Sequence, residues 1–114
     1  MIKDIITWQD FEKLDIRVGT IKKVEEFPKA LNPSYILYAD FGDLGIMKTA
    51  AQITKNYSIK NLIGQQIIAV VNFPKKQIAN IKSEFLTLAA IENDLENVIL
   101  IQPSTKTRNG AKIC

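Results

Sequence analysis

Apolar residues in this chain come in short runs, alternating or β-branched, broken by glycine, proline and asparagine. No long stripe with helical spacing is present, so the chain must bury its apolar side chains mainly through strands. Residues 66–72 read Gln-Ile-Ile-Ala-Val-Val-Asn, the composition of a strand covered on both faces. Tyr35, Leu37, Ala39 and Phe41 alternate with Ile36, Tyr38 and Asp40, which predicts a second strand. Gly42, Asp43, Leu44 and Gly45 then read as a hairpin turn, and residues 46–50 as a third strand paired back. Ile16 and Val18 share one phase and Ile21 falls out of it, with Gly19 between them, so Gly19 is expected to mark a bulge or a sharp bend in a long strand. Residues 85–91 and 98–101 are the remaining apolar runs, separated by a polar turn at 92–97.

Helical signals are few. Thr7 has the character of an N-cap and Asp10, three residues on, that of the capping-box acid. Trp8, Phe11 and Leu14 then share one side of a short helix that should stop near Asp15. Ile53 and Tyr57, four apart, allow one or two helical turns before Gly64. Short strands, one brief helix between the third and fourth, and no β-α-β alternation predict an all-β architecture. The expected form is a five-stranded Greek-key barrel of the OB type, with a short N-terminal helix and added strands. The expected division is a helical extension over residues 1–14 and the barrel over residues 15–114.

With 114 residues there is room for one ordinary domain. The absence of histidine excludes an imidazole base, ligand or pH switch, and one cysteine, Cys114, cannot form an internal disulfide. No apolar window of bilayer length occurs, and the N-terminal residues lack the long apolar core of a secretory signal, so the expected compartment is the cytoplasm. Neither a GxxxxGK[ST] nor a GxGxxG motif is present, and no cofactor or metal is expected. Cys114 has no activating partner type in the sequence, and Asp40 and Asp43 fit a turn better than a carboxylate pair, so catalysis is not expected.

Charge is unevenly placed. Residues 1–47 hold six basic and eight acidic side chains, whereas residues 48–91 hold six lysines and one acid, Glu84. A positive middle fits a face that attracts phosphate or acidic peptide, and equally a solvated lysine surface. Its densest part, residues 72–84, sets three lysines among Phe73, Ile78, Ile81 and neutral hydrogen-bonding side chains, and is expected to form a basic loop. Lys75, Lys76 and Lys82 would supply phosphate attraction, and Asn72, Gln77 and Ser83 hydrogen bonds to phosphate, sugar or base. Phe73 could stack or grip an apolar group, while Phe73, Ile78 and Ile81 could equally anchor the connection to the core. Asn80 is expected to hold a tight turn at positive φ.

Several stretches resemble one family. Asp15-Ile16-Arg17-Val18-Gly19, Asp40-Phe41-Gly42, the long block from Asn72 through Ala79 with Lys82-Ser83-Glu84, and Asn109-Gly110-Ala111-Lys112-Ile113 are similar to the motifs of the tRNA-binding domain, an OB-fold module. Within that family the chain most resembles its stand-alone, export-related chaperone branch. Lys75 stands where the family often has arginine, and Asn80 where it usually has glycine. The resemblance implies a homodimer without catalytic activity that binds unfolded or pre-secretory polypeptides and has capacity for tRNA. On this reading Arg17, Lys48, Asn72, Lys75, Lys76, Gln77, Lys82 and Ser83 would contact tRNA, and Phe73, Ile78 and Ile81 the peptide. The alternative is a protein that acts on tRNA rather than on polypeptides.

Overall fold

The computed structural model describes residues 1–94 and 97–114. Helix α1 (Trp8–Glu12) leads into β1 (Ile16–Glu26), β2 (Tyr35–Asp40) and β3 (Ile46–Ala51). Helix α2 (Ile59–Leu62) precedes β4 (Gln66–Val70), β5 (Lys76–Ile78), β6 (Ile81–Ser83), β7 (Leu86–Thr87), β8 (Ala89–Glu92) and β9 (Asn97–Leu100). The main sheet has the order β3-β2-β1-β4-β7, all antiparallel, curled into a nearly closed five-stranded barrel. The all-β barrel expected from the sequence is therefore present, with β5-β6 and β8-β9 as added hairpins.

Strand β1 makes the curl possible because it belongs to two ladders. Its first half pairs with β4, from Ile16 opposite Val70 to Thr20 opposite Gln66. Its second half pairs with β2, and the register shifts between Ile21 and Lys23. The bulge therefore lies at Lys22 rather than at Gly19. Gly19 has another reason to be glycine: a Cβ built there would sit 2.6 Å from the ring of Phe41, which fills the barrel. Close approach, not strand irregularity, excludes a side chain at this position.

The interior is one cluster that includes Ile21, Leu37, Phe41, Leu62, Ile67 and Phe85, with Phe41 and Phe85 edge to face at 5.0 Å. From α2, Leu62 is fully buried in it and Ile59 packs against it. The other face of β1 and β4 is also covered. Ile16, Val18, Ile68 and Val70 pack beneath Phe11 of α1 and Ala111 of the C-terminal tail. Burial on both faces explains why β4 is apolar along nearly its whole length. The tail is held at Val18, whose N–H donates to the Ala111 carbonyl and whose carbonyl accepts from Gly110 N–H. Thr7 and Asp10 form the expected capping box, but Trp8 stays largely exposed and only Phe11 reaches the barrel.

Residues 72–84 are not a simple loop. Strands β5 and β6 form a hairpin, Gln77 opposite Lys82 and Ile78 opposite Ile81, around a turn at Ala79 and Asn80. Ala79, not Asn80, carries the positive φ, at 49°. The expected strand over 85–91 is also interrupted. Leu88 donates its N–H to the Ile68 carbonyl, but β7 ends at Thr87, and β8 begins a separate hairpin with β9.

Candidate binding groove and basic face

The hairpin β5-β6 is fixed by one of its faces. Ile81 is buried with Phe27 and Ile36, and Ile78 packs against the same cluster. Side chains alternate along a strand, so Gln77 and Lys82, opposite one another, point the other way into solvent. Ile81 is thus a core residue with little surface to offer a peptide. Ser83 is also engaged internally, sharing a hydrogen bond with the Thr49 hydroxyl at 2.5 Å.

Beside this hairpin the barrel is incompletely closed. Strand β3 ends the main sheet on one side and β7 on the other. Across the gap the Glu84 N–H donates to the Lys48 carbonyl at 2.8 Å, and a Glu84 carboxylate oxygen accepts from Lys48 N–H at 2.9 Å. The Thr49 hydroxyl donates to the Phe85 carbonyl at 2.7 Å. One main-chain bond and several side-chain bonds hold the seam where a strand ladder would otherwise run.

Along that seam lies a groove of about 560 Å³, within the usual size range of ligand sites. Ala51 and Ile53 contribute from the β3 side, Leu86 and Thr87 from the β7 side, and Phe73 and Ile78 from the hairpin. Phe73 is half exposed. Thr87 Oγ1 is buried without a hydrogen-bond partner among the described residues. Lys76 also borders the groove and has no ion-pair partner among the described residues, whereas Lys75 pairs with Glu84 at 3.3 Å.

A second arrangement lies on the outer surface of β1, β2 and β3. Lys23 stands opposite Tyr38, and Tyr38 opposite Lys48, so an aromatic ring sits between two lysines in one cross-strand row. The Lys23 ammonium lies 5.1 Å from the Tyr38 ring centre. The Tyr38 hydroxyl donates to Glu25 at 2.8 Å. That bond, reinforced by Lys23 and Lys48, holds the Glu25 carboxyl below its ordinary pKa. The same bond and partial burial push the Tyr38 hydroxyl up. Neither Lys23 nor Tyr38 stood out in the sequence. The signal that finds them is strand register, which requires the bulge at Lys22 to be known.

Besides Ser83, two more residues expected on the tRNA surface are engaged in bonds within the chain, Arg17 under cover and Asn72 in the open. Arg17 donates to Asp15 at 2.6 Å and to the Gly110 carbonyl at 3.1 Å, and its side chain is largely covered. The Asp15 partner raises the guanidinium pKa further. Asn72 accepts from Asp15 N–H at 2.9 Å and donates to the Lys13 carbonyl at 2.8 Å, clamping the entry to β1 against the end of β4. Lys48, Lys76, Lys82 and Gln77 remain on the surface around the hairpin and β3, although Gln77 also donates to the Ala79 carbonyl.

Residues 16–112 match the family described as "Putative tRNA binding domain". The chain belongs to that family. Among solved structures, it superposes on the chaperone CsaA from Bacillus anthracis with a TM-score of 0.93 and 46% identity, covering 97% of this chain and 100% of that one. The CsaA chaperone protein from Picrophilus torridus gives 0.90 and 50%, over 96% and 100% of the two chains. These likenesses identify a CsaA-type member of the family with an OB-like barrel. A methionine–tRNA ligase from Methanococcoides burtonii is 32% identical over 111 residues, which is 97% of this chain and 16% of the ligase. The chain therefore corresponds to a small part of such enzymes.

Proposed function

We propose that this protein is a non-catalytic molecular chaperone of the CsaA type, which holds unfolded or pre-secretory polypeptides in support of export. The observation that carries the reading is the groove at the barrel seam, open to solvent and lined mainly by apolar side chains. Exposed apolar surface of this kind is retained where a partner covers it. The reading places the protein in the cytoplasm, where precursors await export. No helix among the described residues is long and apolar enough to cross a membrane. Phe73 and Ile78 are the groove contacts on this reading, with Ile81 supporting them from below. The test is binding of a permanently unfolded protein, such as reduced and carboxymethylated lactalbumin. Phe73→Ala should weaken it about tenfold, by removing a large aromatic anchor at the groove mouth. Unchanged affinity would place the client elsewhere.

Family membership and the basic face favour a second capacity, binding of tRNA. Lys48, Lys76 and Lys82 would meet phosphates, Gln77 would add a hydrogen bond, and Tyr38 would offer a ring between Lys23 and Lys48. Lys75 would join after leaving Glu84, while Arg17, Asn72 and Ser83 would act through the backbone they hold in place. Log affinity for tRNA against log salt should fall with a clear negative slope, and a flat line would remove phosphate contact from the account. A homodimer completes the reading. Ile2, Ile5, Ile6 and Trp8 are exposed near α1, more apolar surface than one short segment leaves in water without a partner. Light scattering should return twice the chain mass, and Trp8→Ser with Ile6→Ser should return the monomer.

A further inference from the structure

The groove has a feature that bears on the shape of its occupant. Strand β3 is an edge strand, and residues two apart on a strand direct their backbone groups to the same edge. Lys48 directs its N–H and C=O across the seam, where Glu84 takes both. Ala50 comes next in that phase. Its N–H meets only the Ser83 hydroxyl, at 3.4 Å, too long for a strong bond. Gln52 follows, and its backbone has no hydrogen bond with another part of the chain among the described residues. The β3 edge is therefore satisfied at Lys48 and met only by long contacts at Ala50, whose N–H faces the Ser83 hydroxyl and whose carbonyl faces the Thr49 hydroxyl, each at 3.4 Å. It is unbonded at Gln52, just past its end, where it borders the groove. Ala50 and Ala51 are small, which leaves space for a second backbone to approach.

We infer that the groove takes an extended polypeptide as an added strand on β3, hydrogen-bonded to Ala50 and Gln52, with an acidic side chain set against Lys76. This rests on the polypeptide reading of the same groove and states how the client is held. Main-chain pairing provides affinity without reading sequence, and alternate side chains enter the apolar space beside Ile53 and Leu86. That combination suits a protein whose clients share an unfolded state rather than a motif. Thr87 Oγ1, buried in the opposite wall without a partner, can donate to a backbone carbonyl of the incoming strand. Charge complementarity selects the acidic flank. Lys76 is exposed and unpaired among the described residues, whereas Glu84 is occupied by Lys75 and Lys48. A phosphate backbone fits the same place less well, because the groove beyond Lys76 is apolar and a carboxylate stands at its rim.

The test uses a fluorescently labelled peptide, Ser-Val-Thr-Val-Thr-Leu-Glu-Ser, and two versions N-methylated at alternate backbone amides, one for each phase. Amides of one phase face β3 and those of the other face away. Methylation in one phase should weaken binding at least about tenfold, and in the other less than about twofold, because only one phase donates to the protein. Replacing the peptide glutamate with lysine should weaken binding to the native protein, and Lys76→Glu should reverse that preference. On adding the parent peptide, amide exchange at Gln52 should slow, a readout that needs no variant to fold. If the parent binds and loses affinity with Phe73→Ala, yet both methylated phases respond alike, strand addition is overturned and the groove reading stands. If the parent does not bind while tRNA does, both are overturned.

Discussion

Between β1 and β4 the barrel is joined by a continuous ladder, from Ile16 opposite Val70 to Thr20 opposite Gln66, with apolar side chains buried on both faces. Between β3 and β7 the join is made by Thr49, Ser83 and Glu84, and a groove remains beside it. The two sides differ in what they leave over. A ladder consumes its donors and acceptors in register and leaves a surface with nothing to offer. A seam held by one backbone bond and three side chains leaves an incompletely paired strand edge, a bare hydroxyl and apolar walls. On the proposed reading, the paired side serves as scaffold and the seam as the binding side.

Variants can break or sharpen that contrast. Phe41→Ala should have the largest effect, a loss of about 3–5 kcal/mol in urea unfolding, because the ring is fully buried and packs on Phe85. Gly19→Ala should lose about 1–3 kcal/mol by forcing a methyl group against the same ring. Thr49→Val should cost about 1–3 kcal/mol, since the Phe85 carbonyl loses its donor in a buried place. If it also leaves peptide affinity unchanged, the seam has no part in binding and the contrast fails. Glu84→Gln keeps an oxygen for Lys48 N–H and loses only the ion pair to the largely exposed Lys75. It should change stability by less than about 1 kcal/mol. Lys75 is then free for phosphate, so the salt dependence of tRNA binding should steepen.

The smallest effect concerns α1. The Asp10 carboxyl is held below its ordinary pKa by the Thr7 N–H, then by Lys13 and the Thr7 hydroxyl. A carboxyl lowered in the folded state stabilises above its unfolded pKa, and the benefit is lost as pH falls through the lowered value. On acidification, the Thr7 and Asp10 amides should gain exchange before those of β4, which a pH series of amide exchange will show.

The strand-built barrel, the capping box of α1, the hairpin between β2 and β3 and the burial of β4 were legible in the residues, whereas the β5-β6 hairpin and the break between β7 and β8 were not. Each legible feature depends on neighbours within a few positions, where alternation and turn chemistry act directly. The bulge was misplaced because Gly19 and Lys22 lie close in sequence, and only the Phe41 ring, brought in from β2, shows why Gly19 lacks a side chain. The basic character of residues 72–84 was equally legible. Their division into an anchoring face with Ile81 and an outward face with Gln77 and Lys82 was not, because it depends on which way the hairpin lies.

The sequence by itself determined that these residues make short antiparallel strands with lysines gathered in the middle of the chain, since periodicity and charge are local properties. Tertiary structure alone decided that Asn72 and Arg17 would be spent as internal clamps and that Lys23, Tyr38 and Lys48 would fall in one row. It also decided that residues near 50, 73, 87 and 100 would face a common groove. Those contacts join positions far apart in the chain, and curling the sheet around Phe41 is what brings them together.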